Sequence, residues 1–160
     1  MLVKSPSELK AALPASQRLA GLDVGSKTIG IAVSDLTFFL ASPLTTIGRR
    51  KFSLDAAELE RLAQQERVGA LVVGWPVNMD GSEGPRCQSI RQFVANLEAR
   101  PGSLWRALPT LLWDERLSTA AVTRTLIEAD TSRAKRAALV DKLAAAYILQ
   151  GVLDALRIGA

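Results

Sequence analysis

Four carboxylates stand where the hydrophobic pattern of the chain stops or is interrupted: Asp23, Asp114, Glu115 and Asp141. They matter because the 160 residues include no histidine and one cysteine, Cys87. Imidazole acid–base chemistry, a Ser-His-Asp or Cys-His nucleophile and imidazole ligation are therefore excluded. A single thiol can neither close an internal disulfide nor build a thiolate zinc site, and it suits a reducing compartment. Hydrolytic chemistry must rest on carboxylates, lysines, hydroxyls or a hard cation held by carboxylate oxygens.

Each carboxylate admits two readings. Asp23 follows the apolar run Leu19–Leu22, and Gly25-Ser26-Lys27 then turn the chain before Ile29, Ile31 and Val33 alternate on the way back. This is a hairpin pattern, in which Leu22 and Val24 face one side of the pleat and Asp23 the other. Its carboxylate either serves a site on that side or caps a turn. Asp114 and Glu115 follow the run Leu108–Trp113; strand neighbours point to opposite faces, so one of the two is chemistry and the other scaffold. Asp141 has Ala144, Ala145 and Ile148 one and two helical turns on. A carboxylate among them needs a metal, or a cation such as Arg136 or Lys142.

Gly21, Gly25 and Gly30 leave room for a phosphate or another backbone to approach the hairpin. The segment Gly21–Thr28 is not a P-loop. Three residues, not four, separate Gly21 from Gly25, Ser26 intervenes before Lys27, and a strand follows in place of a helix.

The elements that must position these groups read in order. Residues 1–17 look like a loosely attached leader with one helical turn at Pro6–Leu13, ahead of a domain over 18–157. After the hairpin, Phe38–Ile47 predicts a third, antiparallel strand interrupted by Pro43. Ser53 is the candidate N-cap of a helix to Arg67, and Ala70–Gly74 reads as a strand buried on both faces. The loop Trp75–Pro85 leaves the carboxyl end of that strand, where open α/β sheets place ligands, and is longer than the usual connection of roughly 2–6 residues. Pro85 opens a helix to Ala99, Ser118 or Thr119 caps one over Ala120–Glu128, and Ser132 opens a long helix to about Leu156. The β-β-β-α-β-α-β-α-α order predicts an α/β protein with an RNase H-like fold. Its mixed central sheet has three antiparallel strands followed by parallel ones, with helices on both faces.

The formal charge is +4 and the isoelectric point about 9.6, which suits a polyanionic partner. Basic residues cluster at Arg49-Arg50-Lys51, read as a solvated turn, and at Arg133, Lys135 and Arg136. No apolar run approaches the roughly 18 residues of a membrane span, and nothing at the N-terminus resembles a secretory signal. A cytoplasmic protein without membrane contact is expected.

Four blocks carry a resemblance: Leu22–Gly30 (LDVGSKTIG), Gly74–Ser82 (GWPVNMDGS), Asp114–Thr119 (DERLST) and Val140–Ala145 (VDKLAA). Together, and in this order over roughly 18–156, they resemble the YqgF/RuvX family of bacterial RNase H-like proteins, described as proposed Holliday junction resolvases and as pre-16S rRNA nucleases. Trp75 stands where a smaller apolar residue is expected, and Lys142 follows Asp141 where a small residue is common.

The resemblance implies Asp23, Glu115 and Asp141 as catalytic and metal-binding residues of a hydrolase of phosphodiester bonds, holding one or two Mg²⁺ or Mn²⁺ ions. Lys27, Asn78, Arg116, Arg133 and Arg136 are the candidates for contact with nucleic acid. The partner it implies is an RNA precursor or branched DNA, bound by a monomer or homodimer. Processing of the 5′ end of pre-16S rRNA is the preferred activity and junction resolution the alternative. A non-catalytic ribosome-assembly factor is the reading of another class. The Asp23 hairpin also resembles the phosphate hairpin of actin-like and sugar kinases, but those use two such domains around ATP, and this chain has length for one.

Overall fold

The computed structural model describes residues 1–117 and 133–159, with the backbone alone for 133–141. Six strands form one sheet in the order β1-β6-β5-β2-β3-β4. These are β1 (Leu2–Val3), β2 (Arg18–Val24), β3 (Thr28–Ser34), β4 (Ala41–Gly48), β5 (Val68–Trp75) and β6 (Thr110–Asp114). Strands β2, β3 and β4 are antiparallel, and β5 joins β2, β6 joins β5 and β1 joins β6 in parallel. The helices are α1 (Pro6–Ala12), α2 (Phe52–Gln65), α3 (Pro85–Ala99) and α4 (Arg133–Arg157). This is the mixed α/β architecture that the pattern of strands and helices implied.

Alternation along the strands divides the core in two. Ala20, Leu22 and Val24 of β2 and Leu71, Val73 and Trp75 of β5 pack with α2 and α3 around Leu59, Phe93 and Trp105. Their neighbours Leu19, Ala70 and Val72 meet α4 and α1, through Ala144, Ala145, Ile148, Leu149 and Leu9. On the α4 side the helix approaches the sheet closely. A Cβ on Gly21 would lie 2.8 Å from the Ala145 carbonyl oxygen and from Leu149 Cβ.

Several boundaries differ from expectation for physical reasons. Residues 1–17 are not loosely attached: β1 pairs with β6, the Met1 amino group reaches Glu98, and Leu9 is fully buried. The third strand begins at Ala41, because the Asp35 carboxylate accepts from the amides of Phe39 and Leu40 and closes a turn ahead of it. Pro43 lies within β4, where the β3/β4 register shifts; an edge strand tolerates the missing donor. Helix α2 starts at Phe52, so that Lys51 and not Ser53 is its N-cap, and Lys51 makes no side-chain cap bond. Asp55, from inside the first turn, accepts instead from the Arg50 amide at 3.1 and 3.2 Å. The expected helix over Ala120–Glu128, with Ser118, Thr119 and Ser132, lies outside the described residues.

Candidate active site

Asp23 is the penultimate residue of β2 and 3% exposed. Gly21, two residues earlier, lies under α4, so alternation puts the Asp23 carboxylate on the α4 side of the sheet. Asp23 pairs with Gly30 of β3. On its other flank, the register of Leu22 with Val73 brings Gly74 of β5 level with it. One carboxylate thus sits in a row between two residues without side chains.

Glu115 fills part of that space. β6 ends at Asp114, and the chain tightens into a 3₁₀ turn over Glu115–Leu117. Leaving the strand breaks the alternation, and the two acids separate. The Asp114 carboxylate accepts from the Arg116 amide (2.9 Å), Nε (3.1 Å) and Nη2 (2.7 Å). This forked pair holds Asp114 below the usual carboxylate range, although burial opposes the shift. Glu115 lies over β5 instead: its Oε1 is 2.7 Å from the position of a Cβ on Gly74, as is Ile148 Cδ1 of α4. Asp114 is therefore held as scaffold, and Glu115 shares the α4 face with Asp23 at the carboxyl ends of β6 and β2, the two strands that flank β5.

Asp141 belongs to α4, one helical turn before the Ala145 carbonyl that covers Gly21. Its side chain, like those of Arg133 and Arg136, lies outside the described residues. Among the described residues no group of three or more acidic or cysteine side chains has metal-binding geometry. The pair that is described nevertheless fits a hard divalent cation. Both donors are carboxylate oxygens, and the missing side chain of Gly74 makes the room in which Glu115 Oε1 lies.

The other candidates divide. Lys27 is exposed in the β2–β3 turn, four residues after Asp23. Its carbonyl accepts from the Arg49 amide (2.8 Å), and Arg49 Nη1 donates to the Gly25 carbonyl (2.8 Å). Arg49, read from the sequence as part of a solvated turn, thereby joins the hairpin beside the site. Its signal was only a charge run, whose place depends on the β3/β4 pairing. Asn78 is engaged within its loop, donating through Nδ2 to Ser82 Oγ (3.0 Å) and through its amide to the Ser82 carbonyl (2.9 Å). Arg116 is engaged with Asp114, and its Nη1 donates to the Met79 carbonyl (3.4 Å). Trp75 is buried among the α3-side residues, with the Arg91 guanidinium 4.9 Å above its ring. The larger residue thus lies in the apolar layer, away from the carboxylates.

Residues 17–155 match the profile of RuvX, described as a Holliday junction resolvase. The chain belongs to the RuvX family. A Roseobacter denitrificans protein is 55% identical over 99% of this chain and 95% of its own length. A Paramagnetospirillum magneticum protein is 57% identical over 96% of each. Both are named as proposed pre-16S rRNA nucleases. Among solved structures, Thermus thermophilus RuvC in complex with a Holliday junction substrate superposes with a TM-score of 0.52 at 14% identity, covering 89% of this chain and 96% of that one. The fold of this RuvX chain is thus RuvC-like. Among its described residues no helix is long and apolar enough to cross a membrane.

Proposed function

We propose that this RuvX chain is a metal-dependent nuclease that hydrolyses phosphodiester bonds, with the 5′ end of pre-16S rRNA as its substrate. The observation that carries the reading is that Asp23 and Glu115 share the face covered by α4, Glu115 lying over Gly74 and Asp23 level with that glycine on the neighbouring strand. In a chain without histidine, this is a donor set for a hard cation and a poor one for any other hydrolytic device. Asp23 and Glu115 would hold Mg²⁺ or Mn²⁺, and Asp141, one helical turn before the Ala145 carbonyl that covers Gly21, would be the third ligand. The bound cation supplies Lewis acidity toward a phosphodiester. Lys27, with Arg133 and Arg136 of α4, holds backbone phosphates and fixes the register of the strand.

The choice of RNA rests on relatives that match nearly the full chain and are named for that substrate. Junction resolution is the second reading, favoured by the description of the matching family profile.

The test is cleavage of a labelled pre-16S rRNA 5′ leader and of a four-way DNA junction, side by side, with Mg²⁺, Mn²⁺ or EDTA. Metal-dependent cutting of the RNA alone is expected. Paired symmetric nicks in the junction alone would select the second reading, and binding of either without cutting would make the chain an assembly factor. Binding should weaken as salt rises, because phosphate contacts release counterions. A flat salt response would remove the phosphate-binding roles.

A further inference from the structure

Arg116 follows the Glu115 of the site and is exposed enough to suggest a hand for phosphate. All three nitrogens of its guanidinium are already committed, to two partners. Nε and Nη2 form a fork on Asp114, and Nη1 donates to the Met79 carbonyl in the loop over residues 76–84. The Arg116 amide adds a bond to Asp114 Oδ1. Asp114 and Arg116 are the immediate neighbours of Glu115, so their side chains close a clasp around the peptide units that carry it.

The loop meets the same guanidinium from the other side. Gly81, at φ +87°, lies with the position of its missing Cβ 3.8 Å from Arg116 Nη1. The loop tip is braced internally by Gly81 N to Asn78 O (2.8 Å) and by Ser82 N and Oγ to Asp80 Oδ1 (2.9 and 2.6 Å). Its far end is tied to α3 by the Glu83–Arg91 pair. The Met79 side chain projects from this braced tip, 89% exposed.

We propose that Arg116 is a positioning residue and not a phosphate ligand: with Asp114 it clasps Glu115, fixing that carboxylate over Gly74, and it ties the 76–84 loop to the edge of the site. The proposal rests on the nuclease reading for its effect on rate, but its effect on the loop is independent of activity. A planar fork is required, because Nε and Nη2 engage one carboxylate while Nη1 reaches the loop. A lysine ammonium supplies charge without that geometry.

Two sets of measurements on Arg116→Lys, Arg116→Gln and Asp114→Asn decide it. In cleavage assays, Arg116→Lys should lower kcat by roughly 10- to 100-fold, the scale of a misplaced catalytic group. KM and the slope of binding against salt should stay within about twofold. Asp114→Asn should give a similar loss, and the double variant Asp114→Asn/Arg116→Lys should be no worse than either single change, as members of one unit behave. A phosphate ligand would behave oppositely: lysine would preserve most of the rate, Arg116→Gln would raise KM and flatten the salt slope by about one unit, and Asp114→Asn would tighten binding by releasing the guanidinium. That pattern overturns the proposal.

Amide hydrogen exchange over residues 76–84 should quicken in Arg116→Lys at an unchanged melting temperature. Unchanged exchange there would overturn the clasp even if rates fell. If the wild-type protein cuts neither substrate, the nuclease reading fails, while the exchange measurement still tests the clasp.

Discussion

The two faces of the sheet are built from different residues. Toward α2 and α3, the strands present Leu22, Val24, Ile29, Ile31, Leu71 and Val73 to Leu59, Phe93 and Trp105. Toward α4, Leu19 and Val72 meet large groups such as Ile148 and Leu149, but interspersed with them are Gly21, Asp23, Ala32, Ala70 and Gly74, and the helix answers with Ala144 and Ala145. The first face is a layer of large apolar groups, each contributing about 1.5–3 kcal/mol when fully buried. On the second, Gly21 lets the α4 backbone descend onto the strands, and Gly74 makes room at the carboxyl ends for Glu115, on the face that Asp23 shares. Both faces carry apolar core, and only the α4 face combines it with the small residues and carboxylates of the candidate site.

Variants should separate the two faces. The largest effect is expected for Asp23→Asn, which should reduce cleavage by about 10³-fold or more, the several kcal/mol of a lost metal site, with little change in melting temperature. A full rate would remove Asp23 from the chemistry. Leu71→Ala, on the α2/α3 face, should do the reverse and cost about 2–5 kcal/mol of unfolding free energy in a denaturant titration. Smaller again, Gly21→Ala forces a Cβ against the Ala145 carbonyl and should cost about 1–3 kcal/mol. Gly48→Ala, with nothing within 4 Å, should stay within about 0.5 kcal/mol of wild type. Equal melting temperatures for these two glycine variants would contradict the close approach of α4.

The smallest effect is expected far from both faces. Asp35 accepts from Thr37 Oγ1 and from the amides of Phe39 and Leu40, and these bonds hold its pKa down to about 2. A depressed carboxylate contributes stability that is fully present above its ordinary value of 3.8 and lost as pH falls toward 2. The melting-temperature gap between wild type and Asp35→Asn should therefore be open at pH 6 and narrow steadily below pH 4. A gap independent of pH would contradict the lowered pKa of Asp35.

Local patterns carried much of this arrangement. The hairpin around Asp23 was readable from alternation and its glycine turn, and α3 from Pro85 and its apolar stripe. What the sequence left open depended on contacts remote along the chain. Alternation could not rank Asp114 and Glu115, and only the resemblance named Glu115, because alternation holds only while the strand lasts and the 3₁₀ turn begins between them. The start of α2 was misplaced because Lys51, not Ser53, stands at its N-cap and makes no side-chain cap bond, while Asp55 in the first turn accepts from the Arg50 amide just ahead of the helix. β1 is two residues long and exists only because the edge of β6 is there to pair with it. Asn78 and Arg116 carry the donors expected of phosphate ligands, and only the folded loop shows that those donors are already engaged.

Mn²⁺ binding, followed by the electron paramagnetic resonance signal of the free ion, tests the central claim most directly. Wild type, Asp23→Asn, Glu115→Gln and, as a remote control, Asp35→Asn should be titrated in parallel. Binding should be present in wild type and Asp35→Asn and strongly weakened in the other two. Equal binding by all four proteins would contradict a metal site built from Asp23 and Glu115.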